Sequence, residues 1–525
     1  MPDALARSAG LAGAATLASR LLGLARDQVL AAFFGAGNEM DAFVVAFRIP
    51  NLVRDLFAEG AMSAAFVPTF TRHVTLRGKA DAWRLANNVL NTLCLLTGLV
   101  VLAGLVFAGP LVAAYAGSFA AVPGKLELTI LLTRVMLPFL TLVAIAAALM
   151  GMLNSLNHYF VPALAPAMFN VATILAALLL VPVMPSLGLP PIMAVAIAAL
   201  AGGLGQIALQ WPPLRREGFR YRPFLDLGDE GVRRVLLLMG PGTIGLAATQ
   251  VNLFVNTLLA TRHGTGTVSW LSYAFRLMYL PIGLFGVSIA TAVLPAVSRQ
   301  TAVGDPDAIR ATVSRGIRLM LMLSVPATIG LVVLATPIVR LLLERGRFLP
   351  ADTAATAAAL QFYAVGLVGY STARIVSPVF YALGKNRIPV AASVASMLIN
   401  AAASMALVHF MGFRGLALGT SLAAIGNAAI LLFLLRGPIG GIDGRSLLVA
   451  TIKIGAAAAV MAVVAVAVER TAVAILPGTG LIDQAARLTA AILCALGALA
   501  AAAKLLGIGE LDEALASLHR AKKSL

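Results

Sequence analysis

Between residues 11 and 71, two stretches apolar enough to cross a bilayer carry Arg20, Arg26, Asp27, Asp41, Arg48, Arg54, Asp55 and Glu59. An Arg, Lys or Asp at the centre of a spanning helix costs roughly 2.5–3.5 kcal/mol, so the arginines alone would cost on the order of 10 kcal/mol facing lipid. They must face water, one another or an anion. A guanidinium fork grips phosphate oxygens bidentately, and the grip strengthens where water is scarce. The chemistry on offer is recognition of a phosphate, with a diphosphate the natural ligand.

Helix geometry sorts these charges into faces. Residues seven apart return to within about 20° of each other, so Asp41, Arg48 and Asp55 form one stripe and Arg20 with Asp27 another. Both stripes are candidate internal ion pairs. Arg26 lies about 240° round from Arg20, and Arg54 the same from Arg48, so these two project from other faces and need other partners. Arg134, Arg374 and Lys453 also fall in or near apolar runs; for them a snorkelling side chain and a cavity-lining one are equally good readings.

A search for catalytic groups comes back empty. No His pair has metal-ligand spacing, no Gly-rich loop ends in GK[ST], and the five histidines sit near span ends or in loops. The acids that a membrane transferase would hold at the bilayer face are instead interleaved with arginine deep in two helices. No catalytic residue, metal or cofactor is expected. Cys94 and Cys494 lie in apolar runs and read as small buried side chains.

The elements that must position the arginines follow from composition. Of 525 residues, 60% are hydrophobic and 12% charged, with a mean hydropathy of +0.94, which describes an all-α polytopic membrane protein. Apolar length, punctuated by Gly, Pro and charge, divides the chain into about fourteen spans, at approximately 8–35, 39–71, 84–116, 127–153, 158–184, 190–212, 234–262, 267–298, 315–343, 354–383, 388–410, 414–436, 447–468 and 484–506. The first run mimics a signal peptide but continues through Arg20 without a cleavage site, so it reads as an uncleaved span. Basic residues cluster in alternate loops, among them Arg72, Arg77, Lys79 and Arg84, then Arg215, Arg216, Arg220 and Arg222. That bias predicts a cytoplasmic N-terminus and C-terminus. The net charge of +17 is mostly this loop bias, with affinity for anionic membrane lipids. Dispersed in this way, it argues against nucleic acid.

An internal repeat recurs at an offset near 227 residues. Ala46-Phe47-Arg48 returns as Ala274-Phe275-Arg276, Pro68 with Arg72 as Pro295 with Arg299, and Gly98-Leu-Val-Val-Leu-Ala103 as Gly330-Leu-Val-Val-Leu-Ala335. Pro110 matches Pro337, and Asn157 with Pro162 matches Asn386 with Pro389. A repeat of six spans, an even number, predicts two lobes related by an axis along the membrane normal. The expected organisation is an N-terminal lobe at 1–222, a C-terminal lobe at 223–440, and two additional helices with a tail at 441–525. Arg276, the repeat mate of Arg48, has no acid in its own span, which leaves surplus positive charge. Gly202, Gly203 and Gly205 would let helices approach closely, while Pro50, Pro138, Pro241, Pro281 and Pro378 are candidate bends.

Ser19-Arg-Leu-Leu-Gly-Leu-Ala-Arg-Asp27, Phe34-Gly-Ala-Gly37, Asp41-Ala-Phe43, Pro50-Asn-Leu-Val-Arg54, Phe57-Ala-Glu-Gly-Ala61, Ala65-Phe-Val-Pro68 and the stretch Ser269 to Met278 resemble the MurJ (MviN) lipid II flippases. That family belongs to the multidrug/oligosaccharidyl-lipid/polysaccharide exporter superfamily. The resemblance implies two six-helix lobes plus two helices in the bacterial inner membrane. The implied activity is flipping of lipid II, the undecaprenyl-diphosphate precursor of peptidoglycan, by alternating access. It also implies the cell-wall synthesis machinery as a partner. Matched position by position, Arg20, Arg26, Asp41, Arg54, Glu59 and Arg276 correspond to the family's central-cavity charges; Arg26, Arg54 and Arg276 would bind the diphosphate, and Arg20, Asp41 and Glu59, with Asp27 and Arg48 from this chain's own charge stripes, would set cavity charge and gating. Two departures stand out. Phe275 occupies a place where some relatives carry an acid, and the second lobe offers only Asn252, Asn256, Asn400 and Ser404 where a cation site would want a carboxylate. Two competing readings remain at this point: a flippase for another polyprenyl-diphosphate oligosaccharide, and a non-transporting scaffold of cell-wall assembly.

Overall fold

The computed structural model describes residues 2–54, 62–282 and 287–510. Within them the chain divides into two compact units, one running to Ser269 and the other starting at Trp270.

The first unit holds α1 (Pro2–Phe34), α2 (Asn38–Arg54), α3 (Met62–Arg77), α4 (Lys79–Ala116), α5 (Lys125–Met136), α6 (Phe139–Ser155), α7 (Phe160–Leu164), α8 (Ala167–Leu179), α9 (Met193–Arg216) and α10 (Glu230–Thr261). The second begins in α11 (Thr267–Pro281) and continues through α12 (Val287–Val303), α13 (Pro306–Val333), α14 (Ala335–Leu343), α15 (Pro350–Val365), α16 (Leu367–Ala382), α17 (Arg387–Met411), α18 (Phe413–Leu435), α19 (Gly444–Ile475) and α20 (Leu481–Leu505). Among the described residues, nine helical stretches are long and apolar enough to cross a membrane. The arginine-bearing α1 and α2 are not among the nine.

Several spans expected to be continuous are pairs of helices. Pro138 divides α5 from α6 and Pro166 precedes α8, because a proline supplies no amide to the helical ladder. In 354–383 the break falls at Gly366. Helix starts are set locally where an acid is available: Asp229 accepts from Val232 N–H at 3.0 Å to open α10, and Asp305 accepts from Ala308 N–H at 2.9 Å to open α13.

Within the first unit α1 packs on α7 and α8, α2 on α5 and α6, and α9 on α6 and α8. Small residues set these distances, as the sequence suggested. A methyl group on Gly202 would come within 2.7 Å of the Phe169 backbone, and one on Gly203 within 2.9 Å of Leu142. By contact, α10 belongs to this unit, lying on α3 and α4, although the sequence repeat begins the second lobe at 223. In the second unit α13 packs against α16 and α19, α17 against α18, and α19 against α20. Val313, Ile317, Val379, Phe380, Ile454 and Met461 are part of its core. Leu99, Leu102, Val106 and Phe107 of α4 are exposed, the signature of a lipid-facing helix surface.

The basic stretch between α9 and α10 is not a loose loop. Asn88, fully buried, gives its amide to Asp226 O and accepts from Asp226 N–H, each at 2.8 Å. Asn87 bridges Arg220 O and Arg222 N–H, and Asn91 donates to Arg222 O and Phe224 O. Three side-chain amides on one face of α4 thus serve the backbone of residues 220–226 as a neighbouring strand would. At its start, Glu217 meets Lys79 at 2.8 Å and His158 at 3.0 Å. Hydrogen bonds from Lys79 and then His158 hold its carboxyl below the ordinary carboxylate value. Asn88→Ala removes two backbone partners, an expected loss of about 1–3 kcal/mol of local protection. Limited trypsin digestion should then cut after Arg220, which precedes Tyr221, roughly tenfold faster than in the parent; an unchanged digestion pattern would show that the clasp holds nothing.

Candidate anion-binding site

Arg26 is a guanidinium built into place. Its Nε and Nη2 donate to Asp27 Oδ1 at 3.0 and 2.6 Å, and its Nη1 donates to Asn170 Oδ1 at 3.0 Å. Asn170 is in turn oriented by donating to Ser19 O at 3.0 Å, and the guanidinium carbon stands 5.5 Å from the Phe169 ring centroid. Asp27 therefore pairs with its chain neighbour and not with Arg20 one stripe away. Two adjacent residues on a helix point about 100° apart, but an arginine is long enough to fold back over a short aspartate. Arg20, half-buried, makes no ion pair or hydrogen bond among the described residues.

The second expected stripe is also resolved differently. Asp41 is fully buried and faces Lys125 at 2.8 Å, with both side chains 2% exposed or less. Its oxygens also accept from Gly266 N–H at 2.8 Å, Ser269 N–H at 3.0 Å and the Ser269 hydroxyl at 2.7 Å. Lys125 completes its own surroundings on the Phe119 ring at 4.1 Å. The seven-residue spacing pairs Asp41 with Arg48, and the structure pairs it with Lys125 instead. Nothing in the spacing joins residues 41 and 125, and only a lysine just before an apolar run hints at burial. Arg48 instead stands beside the buried Tyr115 hydroxyl, and its Nε is buried without a hydrogen-bond partner. Arg54 is half-buried at the last turn of α2, where the carbonyl end of the helix favours a cation. Asp55 and Glu59 lie outside the described residues.

In the second unit Arg276 sits half-buried on α11. Its neighbour Phe275 anchors an aromatic cluster, stacking on Tyr279 at 5.8 Å and meeting Tyr363 edge-on at 5.4 Å and Tyr370 at 6.4 Å. This ring thus supports its surroundings by packing and brings no charge. Arg374 reaches the same cluster, 6.0 Å from the Tyr279 centroid, with Nη1 buried and without a hydrogen-bond partner. Asn400 and Ser404 are fully buried, and the Ser404 hydroxyl donates to Asn400 Oδ1 at 3.3 Å. Among the described residues no three His, Cys, Asp or Glu side chains converge as metal ligands would.

Among the described residues, nine helical stretches long and apolar enough to cross a membrane, with half-buried arginines on α1, α2 and α11 beside them in sequence, define a polytopic membrane protein. Its fold is shared with solved structures of membrane transporters. An inward-facing multidrug resistance MATE transporter superposes with a TM-score of 0.68 at 18% identity, over 80% of this chain and 94% of that one. A lipid II flippase MurJ structure in the inward closed conformation superposes with a TM-score of 0.76 at 24% identity, over 94% of this chain and 99% of that one.

The chain belongs to the lipid II flippase MurJ family, whose sequence profile matches residues 30–479. The probable lipid II flippase MurJ of Vibrio cholerae is 36% identical over 434 residues, 81% of this chain and 82% of the relative. Lipid II flippase MurJ of Burkholderia cenocepacia is 34% identical over 425 residues, 80% and 82% of the two chains. The family is one of transporters and not of enzymes, and its members are multi-pass proteins of the bacterial inner membrane. The readings as a flippase for a different oligosaccharide or as a scaffold find no comparable support.

Proposed function

We propose that this protein carries lipid II from the inner to the outer leaflet by alternating access, with Arg26, Arg54 and Arg276 receiving the diphosphate. The observation that carries the reading most directly is the Arg26 guanidinium, held on α1 by Asp27 and Asn170. A fork fixed before the ligand arrives loses little side-chain entropy on binding. Arg20, Arg48 and Glu59 set the charge around that site, and Asp27 and Asp41 fix its geometry. Both termini lie in the cytoplasm, following the basic inner loops. The repeat assigns 1–222 and 223–440 to the two lobes and 441–525 to the added helices that flank the polyprenyl tail. The cell-wall synthesis machinery is the natural recipient of the flipped product. Differential binding of the diphosphate by the two states drives closure. The membrane potential supplies about 2.3 kcal/mol per charge per 100 mV to the outward step or to the return of the empty carrier.

The test is leaflet accessibility of lipid II in cells depleted of their own flippase. Expression of this chain should restore exposure of the headgroup at the outer leaflet. Continued accumulation at the inner leaflet, with the protein inserted at normal levels, would refute the reading.

A further inference from the structure

A second basic recess lies in the 270–523 unit, away from Arg276. It has a volume of about 600 Å³ and lies between α13, the start of α19 and the chain just beyond α20. Arg315, Arg318, Arg445 and Lys453 line it, against Asp443 and Glu510. Glu510 is committed to Arg318, whose Nε it meets at 2.9 Å, while Arg318 Nη1 donates to the Ser446 hydroxyl at 2.9 Å. Asp443 precedes α19 without capping it through its side chain, so the positive end of that helix opens on the recess. The side chains of Arg445 and Lys453 make no ion pair or hydrogen bond among the described residues. Among the described residues, basic charge at the recess is therefore in excess and partly uncommitted.

The surroundings point to what neutralises it. All three helices are long and apolar enough to cross a membrane, and the recess lies where α13 and α19 begin and α20 ends, at one end of the bundle. Lys453 is nine residues into α19, about 14 Å along its axis, and a helical side chain leans back toward the N-terminus, which brings its ammonium toward the recess. Between Arg445 and Lys453, α19 exposes Leu448, Val449 and Ile452 at 61%, 46% and 62%. Basic side chains beside a strip of bare aliphatic ones match a molecule with a phosphate at one end and acyl chains at the other.

We propose that this recess is a binding site for the phosphate headgroup of an anionic phospholipid, its acyl chains lying along Leu448 and Ile452. Basic pockets between spanning helices commonly take such headgroups. The site uses none of the arginines assigned to the flipped substrate, so it stands whether or not those assignments hold.

The experiment uses the full-length protein purified in detergent, with lipid retention read by native mass spectrometry. The probes are phosphatidylglycerol, phosphatidylcholine with the same acyl chains, and inorganic phosphate. The parent should retain phosphatidylglycerol in preference to phosphatidylcholine. The R445A/K453A variant should retain it about thirty-fold less well, at about fivefold per basic residue, with phosphatidylcholine unchanged. The R445K/K453R variant, which keeps both charges, should bind as the parent does. Equal retention by parent and R445A/K453A would overturn the site. Displacement of phosphatidylglycerol by millimolar inorganic phosphate would make it a free-anion site and overturn the lipid assignment. Parallel loss of lipid II binding in R445A/K453A would place the recess on the substrate's route and overturn its assignment to bulk phospholipid.

Discussion

Lys125→Met should lower the stability of the purified protein by about 3–5 kcal/mol, because it leaves the Asp41 carboxylate buried without its counter-charge. The carboxylate would still accept from Gly266 N–H, Ser269 N–H and the Ser269 hydroxyl, but three neutral donors do not replace an ammonium at 2.8 Å. Asp41→Asn strands the ammonium instead and should cost a similar amount. The double variant removes both charges, so its loss should fall well short of the sum of the singles. Thermal unfolding in detergent, followed across the four proteins, measures all of this. If either single variant unfolds within a degree or two of the parent, the pair is not the structural element described here. The size of the effect follows from burial, since an exposed pair of the same geometry contributes roughly 0–1 kcal/mol.

The largest functional effect is expected at the substrate arginines. Arg26→Gln, Arg54→Gln and Arg276→Gln should each reduce lipid II flipping at least tenfold and up to about a hundredfold, the equivalent of one or more charge-assisted hydrogen bonds to the diphosphate. Membrane insertion and protein level should stay normal. Arg26→Lys is the discriminating change. It keeps the charge but cannot reach Asp27 and Asn170 together, so a site that depends on the oriented fork should lose most of its activity. A site that needs only positive charge should keep it. Normal flipping in all three glutamine variants would remove the proposed diphosphate site while leaving family membership untouched.

The fold was legible to the extent that it depends on apolar length. Runs of Ala, Leu and Val report a bilayer crossing wherever they occur, and α9, α17, α18, α19 and α20 lie close to the expected spans. Interruptions were harder to read. Pro138 ends one helix and begins another, whereas Pro378 stays inside α16. A proline removes one backbone donor in both places, and the packing around it determines whether the ladder bends or breaks. The assignment of α10 went the same way. The repeat starts a new lobe at 223, while α10 lies against α3 and α4.

What the amino-acid order determined by itself is the class of protein and the identity of its charged positions. Arg20, Arg26, Arg48, Arg54 and Arg276 stand out because ionised groups in spanning helices are costly enough to be rare, and that signal needs no coordinates. Which acid neutralises which base was decided only by the tertiary structure. Helical periodicity relates residues within a turn or two of the same helix, but Asp41 meets Lys125 across 84 positions of chain and Arg26 meets Asn170 across 144. Such partners are chosen by how closely and at what rotation two helices pack, which glycines such as Gly202 and Gly203 set. A buried charge then takes the opposite charge or polar group within about 3 Å, whether packing brings it from another helix, as for Asp41 and Lys125, or it is the next residue along its own, as for Arg26 and Asp27.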